Sequence, residues 1–307
     1  MIRQELSILI PAYNSVCARL VRELHAESLK AGLTDFEIIV AEDGTTNRKT
    51  LGCNASVARK LDRVRHLVFP ENHGRAAVRN LLAREARFDW LLFVDSHMML
   101  PAACSERTHS FLKPYLLTEG PLLYGGYVVE ADAACWKGNL RYQYEVASAN
   151  INEQDTRHGR LSDDYRHFHT ANFLIAREVM LAHPFDETLH RYGYEDDLFG
   201  RELAAAGIPL IRIDNPLAFS SFEPNTAFMA KTEEALSSLY SLRGRMAGFS
   251  RLLWWVRLVE VFRLSAPFLY IYNRCNKKWR ANLCGNSPSL LLFQLYKLGF
   301  YLSLKGA

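Results

Sequence analysis

Residues 6–14 read Leu6-Ser7-Ile8-Leu9-Ile10-Pro11-Ala12-Tyr13-Asn14. A short apolar run leads straight into a proline and a polar turn, which is the signature of a buried strand and its exit. It has no small-residue cleavage site after it, so it reads as a strand and not as a secretory leader. Three more runs of the same kind follow, at Phe36–Ala41, His66–Phe69 and Trp90–Val94. Helical patterns separate them at about Ser15–Ala31, Asn47–Leu61 and Arg75–Arg87. A β-α-β-α rhythm of this length predicts an α/β fold with a mainly parallel sheet flanked by helices.

Ligands of such sheets bind beyond the carboxyl ends of the strands. Those ends carry Pro11-Ala12-Tyr13-Asn14, Glu42-Asp43-Gly44-Thr45 and Asp95-Ser96-His97. One aspartate after a strand is usually a helix cap. Two from separate strands, on one edge, point to a binding site. No glycine-rich loop follows the first strand. That argues against a nucleotidyltransferase, which would cradle a triphosphate there, and against a dinucleotide-dependent oxidoreductase.

The second half is more mixed. Leu122–Val129 reads as one strand around Gly125-Gly126, and Phe173–Ile175 and Ile208–Ile213 as further short strands. Asp197–Ala206 reads as a helix stopped by Gly207. Helical patterns return at Thr232–Arg245 and from Ser250 onward, where Arg257, Glu260 and Arg263 make a narrow polar stripe. A basic loop is expected at Asn273–Asn282, then an apolar helix at Leu290–Leu304. The expected division is a catalytic domain over 5–230 and a helical, basic and apolar C-terminal extension over 231–307.

Composition bounds the partners. The chain has 307 residues and a net charge of +4. From Arg251 onward there are nine basic residues and one acid, a balance of +8, so the remainder carries −4. A basic, apolar tail suits an anionic membrane surface better than nucleic acid, and it also suits a homodimer interface. No apolar run reaches the length of a membrane span. The six cysteines are scattered without a C-x-x-C pair, which fits thiols in a reducing cytosol better than a zinc site or disulfides. The expected location is cytoplasmic, with peripheral contact at the inner face of a membrane.

Five segments, in register over about residues 5–230, resemble family 2 glycosyltransferases, which share the GT-A fold. They are the opening strand with Pro11, Ala12, Tyr13 and Asn14; Ile38–Thr46 with Asp43 and Gly44; Asn72-His73-Gly74 with Arg79-Asn80; Leu92–His97; and Gly193-Tyr194-Glu195-Asp196-Asp197. The resemblance implies transfer of a sugar from a nucleotide sugar, UDP by family frequency, to a hydroxyl of a glycan or lipid-linked acceptor, as in bacterial surface polysaccharide assembly. It implies donor contacts at Pro11, Ala12, Tyr13, Asn14, Asp43, Gly44, Gly74, Arg79, Asp95 and Ser96.

Asp95-Ser96-His97 stands where the family places an Asp-x-Asp metal motif. It is similar to the Asp-x-His version of the polypeptide N-acetylgalactosaminyltransferases. Asp95 and His97, alternating across Ser96 at a strand end, would share one side. Carboxylate plus imidazole suits Mn2+ well and Mg2+ less well. Phe219 stands where the family often carries a histidine, which leaves two alternatives: His97 compensates, or another histidine, His167 or His169, closes the metal site. Asp196 is the implied general base, with Glu195 binding or orienting the acceptor and Asp197 starting a helix. A separate base fits inversion by direct displacement. Tyr194, Tyr192 and Thr170-Ala171-Asn172 are the acceptor-side candidates. The alternative class is an inactive sugar-nucleotide scaffold, against which the intact Glu195-Asp196 pair argues.

Overall fold

The computed structural model describes residues 3–102, 110–130, 132–157, 165, 168–189, 192–219 and 221–305. They form two compact units: residues 1–130, 152–190 and 195–220 make the first, and residues 131–151, 191–194 and 221–307 the second.

The first unit is built on a seven-stranded sheet in the order β3-β2-β1-β4-β8-β6-β9. Its strands are β1 (Glu5–Ala12), β2 (Asp35–Asp43), β3 (Val64–Phe69), β4 (Trp90–Val94), β6 (Leu122–Tyr124), β8 (Asn172–Ala176) and β9 (Leu210–Arg212). β8 alone runs against its neighbours; the other pairings are parallel. Leu6, Ile8, Leu9 and Ile10 are all fully buried, as expected of a strand covered on both faces. The one polar residue in that run, Ser7, is satisfied by donating to Glu37 Oε1 at 2.9 Å on β2. Helices α1 (Ala18–Lys30), α2 (Arg48–Lys60) and α3 (Arg75–Glu85) connect the parallel strands. Asn47 caps α2 by accepting from the amides of Lys49 and Thr50. This is the GT-A arrangement, as the first four strands foretold.

A three-stranded sheet, β5-β10-β7, completes the strands of this unit: β5 (Met98–Met99), β7 (Tyr127–Val129) and β10 (Leu217–Phe219). It corrects the expectation of one strand over Leu122–Val129. The chain leaves the large sheet at Tyr124 and enters the small one at Tyr127. Gly126 turns at φ +73°, and a Cβ on Gly125 would collide with the Tyr115 hydroxyl, the Asn215 carbonyl and the Asn172 amide. Only two glycines let the backbone switch sheets here. Short helices α4 (Lys113–Leu117) and α7 (Arg177–Ala182) and the longer α8 (Glu195–Ala205) belong to this unit.

In the second unit, α9 (Asn225–Ser241), α10 (Arg251–Val261), α11 (Ser265–Cys284) and α12 (Leu290–Ser303) pack with α5 (Ala133–Trp136) and the first part of α6 (Leu140–Arg157). Leu140, Phe228, Met229, Tyr272, Leu283, Phe293 and Tyr296 form its core. Two expectations change. The division at residue 230 does not hold, because Leu140 is a core residue of the C-terminal helices and Asn225 donates to the carbonyls of Gly138 and Gly285. The expected loop at Asn273–Asn282 is helical, within the 20 residues of α11. Its basic residues occupy the outward face and cost the helix nothing, since Tyr272 and Leu283 supply the buried contacts.

Candidate active site

The strand ends deliver the expected groups to one edge of the large sheet, and each is held by its neighbours. At the end of β1, Asn14 adopts φ +49° and folds over the next strand end. Its Oδ1 accepts from the amides of Thr46 (3.1 Å) and Asn47 (2.9 Å), and its own amide donates to Thr45 Oγ1 (3.0 Å). Ala12 is buried, whereas Tyr13 is exposed. At the end of β2, Asp43 is buried and spends both oxygens on the loop before α3. Oδ1 accepts from the His73 amide at 2.8 Å and faces His73 Nδ1 at 3.0 Å, and Oδ2 accepts from the Gly74 amide at 3.0 Å. Gly44 sits under that loop at φ +72°, where a Cβ would lie 2.5 Å from the Asn72 amide nitrogen. Asp43 and Gly44 therefore hold the end of β2 against the loop before α3.

Glu42 carries no motif signal of its own. It is fully buried beside Asp43 and anchors three elements, accepting from Thr45 Oγ1 (2.5 Å) and Asn54 Nδ2 (2.7 Å) and facing His66 Nε2 (3.4 Å). Burial pushes its pKa up, but His66, Thr45 and Asn54 outweigh that and hold it below the usual carboxylate value.

Helix α3 carries the cation of the site. Gly74 precedes it at φ +93°. One turn in, Arg79 is buried and its Nη2 donates to Asp95 Oδ1 at 2.7 Å, while its Nε is buried without a hydrogen-bond partner. Asn80 exchanges hydrogen bonds with the backbone of Phe185, and Phe185 stacks on Phe199 of α8 at 3.9 Å. The Arg79-Asn80 pair thus ties α3 both to the end of β4 and to the helix that begins with the acidic run.

Asp95-Ser96-His97 is not an extended strand end. The Met98 amide donates to the Asp95 carbonyl at 3.0 Å, closing a tight turn between β4 and β5. The premise that alternation places Asp95 and His97 on one side is corrected, because a turn has no period of two. Asp95 is anchored from behind, its amide donating to the Ala171 carbonyl. Ser96 is buried in the turn and His97 is exposed. The His97 ring tilts against Phe219 at 5.4 Å, which the pairing of Phe219 with Met98 places beside it.

From His97 a chain of rings leads to the acidic helix. Phe219 meets Tyr127 at 5.0 Å, Tyr127 meets His169 at 5.5 Å, and His169 Nδ1 lies 3.4 Å from Asp196 Oδ2. His169 thus faces the expected base, and His167 lies outside the described residues. Sequence reasoning assigned His169 only to a metal and missed Tyr127.

At the start of α8, Glu195 is buried, with Oε1 3.3 Å from Arg75 Nη1 and Oε2 without a partner. Asp196 and Asp197 are driven apart electrostatically. Burial pushes the Asp196 carboxyl up, but His169, the Asp197 amide and the Arg79 charge outweigh it, so Asp196 sits below its ordinary value. Burial pushes Asp197 up to about 7, helped by the charges of Asp196 and Glu195 and opposed by His169. Asp196 therefore ionises before Asp197 as the pH rises.

Asn172 is corrected outright as an acceptor contact. It is fully buried, its Oδ1 accepts from the Tyr115 hydroxyl at 2.6 Å, and its Nδ2 donates to the carbonyls of Gly126 (2.9 Å) and Asn215 (2.8 Å). It knits the sheet switch together and is closed off from solvent. Thr170 and Ala171 are also buried. Tyr194, at φ +68°, and Tyr192 belong to the second unit, where the Tyr192 amide donates to Glu234.

Residues 7–114 match the model of glycosyl transferase family 2. That segment covers β1 to β4 and so contains Asp43, Arg79, Asp95 and His97. An uncharacterized glycosyltransferase of Haemophilus influenzae is 31% identical over 107 residues, which are 35% of this chain and 42% of that protein. The match thus spans less than half of that relative's length. Among solved structures, a mannosyltransferase of Pyrobaculum calidifontis, in complex with GDP-Man and Mn2+, superposes with a TM-score of 0.54 at 14% identity over 79% of this chain and 65% of that one. Residues 1–349 of S. aureus TarS, in complex with UDP, give 0.50 at 15% identity over 98% and 90%. At these identities the two structures establish the fold.

Proposed function

We propose that the chain is an inverting glycosyltransferase that moves a hexosyl group from a nucleoside-diphosphate sugar to a hydroxyl of a glycan or lipid-linked acceptor. The observation that carries this reading is the seating of Asp196 at the start of α8, with Oδ2 3.4 Å from His169 Nδ1 and Oδ1 accepting from the Asp197 amide. Arg79, whose charge also lowers the Asp196 pKa, grips Asp95 of the strand-end turn. A base for the acceptor and an anchor for the donor are thereby linked through one side chain. The matches to a family 2 segment and to nucleotide-bound neighbours support the donor class, with UDP the first nucleotide to test.

In direct displacement the acceptor oxygen bonds to the anomeric carbon, the bond from that carbon to the phosphate oxygen breaks, and the nucleoside diphosphate leaves. The acceptor proton passes to an oxygen of Asp196. Asp196 keeps one hydrogen bond on each oxygen, from the Asp197 amide and His169, which orients it without removing its remaining lone pairs. Glu195 Oε2, buried and unpartnered, is available to accept from an acceptor hydroxyl.

Asp95 and His97 fit a divalent cation in chemistry. Asp95 is a carboxylate held by Arg79 through one oxygen and His97 is an exposed imidazole, although no third His, Cys, Asp or Glu joins them among the described residues. Mn2+ held there would neutralise the charge that builds on the leaving diphosphate.

The test is a thermal-shift screen of UDP, GDP, dTDP and CMP, each with Mn2+ or EDTA, followed by transfer assays with the nucleotide sugar that binds. A ligand that binds only the native state raises the melting temperature. A shift with one nucleoside diphosphate, lost in EDTA and in Asp95→Ala, is expected. Asp196→Asn should keep the shift and lose about a hundredfold or more in transfer. Full transfer by that variant would exclude Asp196 as the base, and no shift with any nucleotide would sink the donor assignment.

A further inference from the structure

Helix α10 is built inside out for a helix facing water. Its sequence is Arg-Leu-Leu-Trp-Trp-Val-Arg-Leu-Val-Glu-Val, and only Val256 is buried. At 100° per residue, Trp254, Trp255, Leu258, Val261 and Phe262 share one stripe, and Val256 lies on the opposite side. The outward stripe is therefore the apolar one. Val261 and Phe262 are each 67% exposed, more than any other large apolar side chain described except Leu291. The turn that follows adds exposed Leu264, and α11 adds exposed Tyr270 and Ile271. Among the described residues, seven of the fourteen exposed large apolar side chains fall between 254 and 271. Chance scatter of single surface apolar residues does not produce that clustering.

The charges around the patch specify what covers it. Arg257 flanks the stripe, and Arg263 projects from the turn at φ +57°. On α11, Arg274 lies over the Tyr270 ring at 4.9 Å, and Lys277 and Lys278 follow one turn later, both exposed. The single acid of the region, Glu260, is already paired with Lys305. An apolar surface of tryptophan, phenylalanine and tyrosine, ringed by unopposed cations, is complementary to the interface of an anionic bilayer. A second copy of this chain would bring the same cations against each other. No helix of the described residues is long and apolar enough to cross a membrane, so the geometry describes a segment that lies in the interface.

We propose that α10, the turn after it and α11 dock the protein on anionic lipid, with Trp254, Trp255, Val261, Phe262 and Leu264 inserted among the acyl chains and Arg263, Arg274, Lys277 and Lys278 on the headgroups. This is independent of the reaction proposed above. The test is flotation of the full chain with vesicles of phosphatidylcholine alone and of phosphatidylcholine mixed with phosphatidylglycerol. Binding is expected only to the mixed vesicles, with a blue shift of tryptophan emission. Lys277→Ala with Lys278→Ala should weaken partitioning about fivefold for each cation removed. Phe262→Asp should abolish it, and because Phe262 is exposed the variant keeps its melting temperature. Equal binding to both vesicles, no binding, or unchanged binding of Phe262→Asp would overturn the proposal. So would light scattering that shows a dimer broken by Phe262→Asp with no vesicle binding.

Discussion

Replacing Asp197 by asparagine is expected to stabilise the protein at neutral and alkaline pH while leaving it unchanged in acid. The folded carboxyl is raised from 3.8 to about 7 by burial and by the charges of Asp196 and Glu195. A carboxyl raised on folding binds its proton more tightly in the native state. Its contribution is thus most favourable below about pH 4 and is lost as the pH rises toward about 7. A shift of about three units corresponds to at most about 4 kcal/mol at about 1.4 kcal/mol per unit. Asp197 is partly exposed, and part of the repulsion remains as the Asp196–Glu195 pair, so about 2 kcal/mol is the working expectation. For a protein of this size that is about 4 °C in melting temperature. Circular-dichroism melts of wild type and Asp197→Asn from about pH 3 to about pH 8 measure it. The two curves should start together and separate by several degrees, with asparagine above. A gap that stays constant across pH, or an asparagine variant that melts lower at pH 8, would refute the charge assignment at the start of α8.

Gly44→Ala should cost about 2–4 kcal/mol in urea unfolding, since it combines a left-handed backbone with a Cβ driven into the backbone of Asn72; a loss below about 0.5 kcal/mol would show that the loop relaxes freely. Asn172→Ala should cost about 2–4 kcal/mol by stranding the Tyr115 hydroxyl and two carbonyls, with the nucleotide-induced melting shift retained. A variant of wild-type stability with a raised acceptor KM would restore Asn172 to the acceptor site. Arg79→Gln removes a charge that lowers the Asp196 pKa, so the acid limb of the pH–rate profile should move to higher pH; an unmoved limb would separate Arg79 from the base.

How far the sequence carried depends on where each stabilising contact lies along the chain. Trp90–Val94 was bounded to the residue, and β1 to β3 within two or three, because buried parallel strands read as continuous apolar runs and their contacts need no knowledge of distant residues. The strand-end rule likewise placed Asp43 and Asp95. The sheet switch at Gly125-Gly126 was invisible, because the two halves of an unbroken apolar run have different partners. The charged stretch in α11 misled for the opposite reason: polarity on one face of a helix looks like a loop when the buried residues beside it are few. Arg75 pairs with Glu195 across 120 positions, and His169 with Asp196 across 27. Neither pair has any local signature, and both depend on α3 and β8 being fixed by the sheet first.

Three adjacent carboxylates at one helix start would repel if all were ionised, even with the favourable field of the helix N-terminus. The fold resolves the conflict by giving each a different environment. Glu195 takes Arg75, Asp196 takes His169 and the field of Arg79, and burial pushes Asp197 up to about 7. Pushing the pKa values of neighbouring acids apart is how one site assigns a proton acceptor without ambiguity. His169 is the main partner in this sorting, and Arg79 adds to it, touching Asp95 directly and acting on Asp196 through its charge. It follows that a substitution at Arg79 should disturb both halves of the site together, whereas one at Asp43 or Gly44 should act on the loop before α3 and leave the charge on Asp196 where it is.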